Sequence, residues 1–239
     1  MSDRFYAESI QNGSTVELSP AESHHLSHVL RKSVGEQVCL FDGKGYEATA
    51  EIEQITKKSV QLQILHRSDQ FPKLQPEIVL ATAVPKGDRF RWLVEKAAEL
   101  GVSRLIPLKT RYSVVHPNAG KLEKMRQTVV AAAKQSGAHY LMDIAEVQSW
   151  VEFLQSKQAN ESALIAHPGA MSLARIIQEQ SLLSSRQQTI VIGPEGGFSE
   201  EELRTAEECS MIPFGMGQHI LRIETAGIVA AGFLRLYSR

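Results

Sequence analysis

The chain has 239 residues, 43% of them hydrophobic and 22% charged, with a formal net charge of −1. This is ordinary for a globular protein of one large or two small domains. No apolar run approaches the ~20 residues that span a bilayer, and the N-terminus MSDRFYAESI lacks the apolar core of a signal peptide. The two cysteines, Cys39 and Cys209, are too few for a disulfide framework or a zinc site and fit a reducing cytoplasm.

Taken in chain order, SPAESHHLSHVLR predicts a short helix starting at Ser19 or Pro20. QVCLFD, YEATAEIEQI and SVQLQILH alternate apolar and polar positions and predict strands, with FDGKGYE supplying the glycines of a hairpin turn. Residues 1–73 therefore read as a small β-barrel with one helix. RSDQFPKLQP breaks the pattern with two prolines and marks a domain boundary. From residue 74 onward the character changes. Strands EIVLATAV, RLIPL, SALIAH, QTIVIG and MIPFG alternate with helices DRFRWLVEKAAELG, KLEKMRQTVVAAAKQSG, VQSWVEFLQSK, SLARIIQEQSLL, SEEELRTAEEC and TAGIVAAGFLRLYS. Such alternation implies an α/β domain over residues 74–239, built on a parallel sheet covered on both faces.

Charge is spread unevenly. Residues 84–126 carry ten Lys/Arg against four Asp/Glu, a net of +6, whereas residues 187–239 carry four Arg against seven Glu, a net of −3. A local basic zone can supply phosphate contacts, although the charge alone favours a solvated helix face balanced by acids elsewhere. His24 and His28 share a helix face, but no second ligand motif accompanies them, so no metal site is expected.

VIGPEGGFSEEE, residues 191–202, places three glycines and a proline directly after a buried strand, where open α/β sheets hold ligands. It lacks the lysine of a phosphate-binding P-loop and the spacing of a dinucleotide fingerprint. Ser199 and Glu202 match a capping box, and Glu200 and Glu201 suit the first helical turn. A helix end capped in this way suits a ligand without phosphate, such as an adenine approached by backbone groups. Glu195 lies before the cap and is either a turn former or a residue facing a ligand or basic partner. Downstream, GMGQHILRIETAG combines glycines with Arg222 and Glu224. On a strand these two would point the same way, and spacing alone makes them a surface pair. Thr225 could cap the last helix.

These motifs resemble the trefoil-knotted SPOUT methyltransferases, and within them the family that methylates N3 of a uridine in small-subunit (16S) ribosomal RNA. HHLSHVLRKSVGE and KGDRFRWLVEKAAELGVSRLIPLKT extend the resemblance over nearly the whole chain. It implies a deep trefoil knot in the C-terminal domain, a PUA-like RNA-binding barrel at the N-terminus, and a cytoplasmic homodimer with a shared active site. S-adenosylmethionine would be held by three loops. Those loops are His167 and Pro168; Ile192, Gly193, Pro194, Glu195, Gly196 and Gly197; and Met216, Gly217, Ile220 and Leu221, with Thr225 just beyond. Arg222 would stabilise charge on the uracil, and Glu224 would orient it or act as base. His167 could also act as a base, though a histidine before proline is commonly structural. Arg31, Lys32, Lys86, Arg89 and Arg111 would contact ribosomal RNA or the small subunit. The chain departs from the family pattern at Arg111, Tyr112, Lys134, Ala138, Met142 and His219. These positions would face RNA or a second subunit, whereas the cofactor loops match the family pattern. The alternatives are a methyltransferase acting on another rRNA or tRNA position and a catalytically silent RNA-binding dimer.

Overall fold

The computed structural model describes residues 3–56, 59–156, 162–180 and 185–237. The chain divides into two compact units. One contains the chain up to Lys73 together with Ala133–Leu141, and the other contains Leu74–Ala132 and the chain from Met142 onward.

The first unit is a curled five-stranded sheet with the order β1 (Arg4–Tyr6), β3 (Gln37–Phe41), β4 (Glu47–Ile55), β5 (Val60–Arg67), β2 (Thr15–Glu17). The strands alternate as expected, and their inward residues, among them Val38, Leu40, Ala50, Ile52 and Leu62, form one core. The expected barrel is open: β1 and β2 are its edges, and among the described residues they do not pair. The hairpin turn is built around Asp42, whose carboxylate accepts from the backbone N–H groups of Lys44 (2.7 Å) and Tyr46 (3.1 Å). Helix α1 (Pro20–His24) starts at Ser19, which accepts from Glu22 N as an N-cap. It then widens into a π-helical turn over His25–Val29. Ser23, on α1, bonds Leu18 O and Val60 N and so ties the helix to β5.

The second unit holds a seven-stranded sheet. Its order is β12 (Ile212–Phe214), β10 (Ser162–Ala166), β11 (Gln187–Ile192), β6 (Glu77–Ala83), β7 (Arg104–Lys109), β8 (Asp143–Ile144), with β9 (Gln148–Ser149) also on β7. Every pairing is parallel. β6 and β11 are buried almost end to end, as a sheet covered on both faces requires, although β11 opens with the polar residues Gln187, Gln188 and Thr189. One face packs Val79, Ala81 and Val191 against Trp150 and Phe153 of α4 (Trp150–Ser156) and Ala206 of α6 (Glu200–Glu208). On the other face, α7 (Ile223–Tyr237) packs on β6, β11 and α2 (Arg89–Glu99). Arg235 fastens this packing by donating to the carbonyls of Leu100, Gly101 and Pro76, and burial lowers its pKa from the usual guanidinium value. Helix α3 (Ala119–Ser136) follows β7, and α5 (Leu173–Gln180) follows β10.

The chain leaves the sheet's edge at β12 and returns to its middle as α7, past β10. This doubling back is where the resemblance places the knot. Two readings need correction. The segment read as one helix over 147–157 opens with the short strand β9, and its last residue lies outside the described residues. The end of the helix read over 172–183 also lies beyond them. The last helix begins at Ile223, so Thr225 is inside its first turn rather than its cap.

Candidate active site

In a sheet of parallel strands, the connections that follow the strands all emerge at one edge. Here that edge collects the turns after β6, β7, β10, β11 and β12, and every expected cofactor-loop residue lies on the last three or just beyond. The chain reverses its direction of travel across the sheet between β6 and β11, which is the position where such sheets hold ligands.

The loop after β10 is stitched to the loop after β12. His167 N donates to Phe214 O (2.9 Å), Gly215 N to Met171 O (2.8 Å) and Leu173 N to Gly215 O (3.1 Å). The contact is so close that a Cβ on Gly215 would lie 2.5 Å from the Ala170 carbonyl oxygen. His167 and Pro168 are exposed.

The glycine loop after β11 is fixed at both ends. Ile192 is buried in the sheet. Gly197 N donates to Pro194 O (2.9 Å), closing a tight turn, and Gly197 sits at φ +73, in the region that favours glycine. Phe198 turns inward against Trp150, with ring centroids 5.4 Å apart. Ser199 and Glu202 form the expected capping box: Glu202 N donates to Ser199 Oγ (3.3 Å), and Ser199 N donates to Glu202 Oε2 (2.8 Å). Glu202 is 7% exposed, and its other oxygen accepts from Arg111 N (2.8 Å), joining this loop to the turn after β7. Tyr112, in that turn, packs on Gly196.

The loop after β12 contrasts with the others. Among the described residues, no backbone N–H from Met216 to Leu221 donates to another protein group. Ile220 is 87% exposed. The loop thus presents uncommitted backbone donors and acceptors beside an apolar side chain, which is what recognition of a neutral heterocycle needs.

Arg222 and Glu224 do not point the same way. They flank the first residue of α7, and residues two apart on a helix lie on opposite sides. The Arg222 side chain is exposed and has no ion pair or hydrogen bond among the described residues. Glu224 is 4% exposed, and its ionic neighbour is Arg89, at 3.6 Å, rather than Arg222. Its Oε2 is buried without a hydrogen-bond partner among the described residues. Arg89 also lies 3.9 Å from Glu195, which gives that residue a basic neighbour. No local pattern signals these contacts, because Arg89 is far from both acids in sequence.

The remaining expected contacts differ in availability. Arg31, Lys86 and Arg111 are exposed. Lys32 is engaged by Asp3 (2.9 Å) and Glu36 (3.1 Å), and these carboxylates raise its pKa and offset its charge. Among the departures from the family pattern, Met142 is buried and Lys134 pairs with Glu22 at 2.7 Å, so both serve packing within the chain. His24 and His28 stack on each other, with centroids 4.7 Å apart.

Comparison with known proteins agrees with this arrangement. The family model described as an RNA methyltransferase domain matches residues 72–235, and that of the RNA methyltransferase PUA domain matches residues 18–65. The chain is 30% identical to ribosomal RNA small subunit methyltransferase E of Rickettsia conorii, covering 98% of this chain and 95% of that protein. It is 29% identical to the protein of the same name from Bacillus subtilis, covering 93% and 90%. Among solved structures, ribosomal RNA small subunit methyltransferase E from Neisseria gonorrhoeae, bound to S-adenosylmethionine, superimposes with a TM-score of 0.90 at 28% identity, covering 99% of this chain and 98% of that one. A Legionella pneumophila protein solved with the same cofactor gives a TM-score of 0.88 at 31% identity, covering 99% and 98%. With the α/β fold, the PUA-like sheet and the loop cluster in place, the chain belongs to the RNA methyltransferase family.

Proposed function

We propose that the chain methylates N3 of a uridine in small-subunit ribosomal RNA, with S-adenosylmethionine as donor. The observation that carries this reading is the meeting of three loops at one sheet edge beside an exposed, uncommitted arginine. The loop from Met216 to Leu221 would hold the adenosine through its backbone, and the glycine loop and the turn at His167 would enclose it. The bound cofactor supplies an electrophilic methyl on a sulfonium sulfur. Uracil N3 must lose its proton before it can attack, and negative charge then spreads to the ring carbonyl oxygens. The Arg222 guanidinium offers parallel donors for that charge. Glu224, buried and next to Arg89, supports the loops instead of orienting Arg222.

Arg31, Lys86 and Arg111 are the proposed RNA contacts. The exposed apolar side chains Trp92, Ile220, Val229 and Leu236 favour a homodimer in which a second copy covers them. Light scattering on the purified protein measures that state. The activity is tested by supplying labelled S-adenosylmethionine with small ribosomal subunits or with tRNA, then analysing the nucleosides by mass spectrometry. 3-Methyluridine in the subunit RNA is expected. Label in tRNA alone, or in another nucleoside, would replace this reading with a different target.

A further inference from the structure

We propose that Arg89 is a positioning residue of the cofactor site and not an RNA contact. Through Glu195 and Glu224 it holds the glycine loop and the start of α7 against the start of α2. The inference rests on the S-adenosylmethionine reading above.

Arg89 is the first residue of α2, where the helix dipole disfavours a cation, and the first turn of α2 contains no acid to offset it. The preceding Asp88 makes no side-chain capping bond. The compensating charges come from elsewhere in the chain. Nη2 faces Glu195 at 3.9 Å and Nη1 faces Glu224 at 3.6 Å, while Nε donates to Lys86 O at 3.3 Å. The guanidinium is thus held by its own turn and directs one nitrogen at each acid. A lysine, with a single point charge, cannot span both.

Glu224 makes the arrangement consequential. Its carboxylate is buried, one oxygen has no hydrogen-bond partner among the described residues, and Arg89 is its neighbouring cation. A buried carboxylate deprived of its cation is strongly unfavourable, so the start of α7 would shift if Arg89 were lost. The loop from Met216 to Leu221 ends at that helix and would shift with it. Two acids around one base also leave the cluster net negative, which suits a sulfonium-bearing ligand and opposes a phosphate.

The test uses the full-length protein and the variants Arg89→Ala, Arg89→Lys and Glu195→Gln, with the double variant Arg89→Lys/Glu195→Gln. Affinity for S-adenosylmethionine is measured by calorimetry, affinity for small ribosomal subunits by filter binding, and KM and kcat by methyl transfer. Arg89→Ala should raise Kd and KM for S-adenosylmethionine by about ten- to a hundredfold, as a displaced binding group does. kcat and subunit affinity should change far less. Arg89→Lys should recover part of the loss, and its effect should be non-additive with Glu195→Gln. Weakened subunit binding with unchanged cofactor affinity in Arg89→Ala would overturn the proposal. If Arg89→Ala does not fold, additive effects of Arg89→Lys and Glu195→Gln would do the same. Failure of the unaltered protein to bind S-adenosylmethionine would remove the functional reading itself.

Discussion

Arg222 and Arg89 are both exposed enough to meet RNA, yet their surroundings assign them different work. Arg222 is uncommitted, so replacing it removes donors without unpairing a buried group. Arg222→Ala should lower single-turnover methyl transfer by about 10²–10³, the loss typical of one donor to a developing oxyanion. S-adenosylmethionine affinity measured by calorimetry should stay near that of the unaltered protein, and Arg222→Lys should recover only part of the rate, because it lacks the planar fork. Both residues stood out in the sequence, but the acidic partners of Arg89 did not. Arg222 and Glu224 looked like a pair only on the assumption of a strand, and the helix begins at Ile223, before Glu224. The real partner of Glu224 lies on another element, and one-dimensional spacing carries no trace of it.

At the scale of elements, capping chemistry was the most legible signal, because it is written within four residues. Ser199 and Glu202 satisfy each other at the start of α6, as their spacing requires. Ser199→Ala should cost about 1 kcal/mol in chemical denaturation. Glu202→Ala should cost more, because it also strands Arg111 N. The two- and three-residue strands β1, β2, β8 and β9 were not legible, since too few positions alternate to establish a period, whereas the equally short β12 was read from the apolar run MIPFG. The stitch between the loops after β10 and β12 was equally hidden. Gly215 gave no sign that a backbone oxygen lies where its side chain would be. Gly215→Ala should push the two loops apart and weaken S-adenosylmethionine binding by about tenfold or more. Its far-UV circular dichroism should be unchanged, because the strands themselves are untouched.

At the scale of the whole molecule, the alternation of strands and helices announced the parallel sheet, and the alternating apolar and polar positions announced the antiparallel strands of the first unit; its PUA-like character came from the family resemblance alone. What no periodicity announced is that Ala133–Leu141, at and beyond the end of α3, belongs with the first unit. Tyr140 donates its hydroxyl hydrogen to Phe71 O (2.8 Å), Leu141 N bonds Gly43 O (3.0 Å), and His139 stacks on Phe71 at 3.7 Å. A fragment ending at Lys73 lacks these groups. It should unfold with a broader, less cooperative thermal transition than the same unit in the intact protein, as followed by circular dichroism.

The excursion of Ala133–Leu141 also sets an order of events during synthesis. The last strand of the first unit leaves the ribosome well before the segment that completes it. At about 5–20 residues per second, the nascent sheet waits roughly 3–14 s for its final piece. Throughout that interval the surfaces of Gly43, Gly45 and Phe71 that receive the piece are uncovered. The protein therefore emerges from the ribosome with its PUA-like unit unfinished.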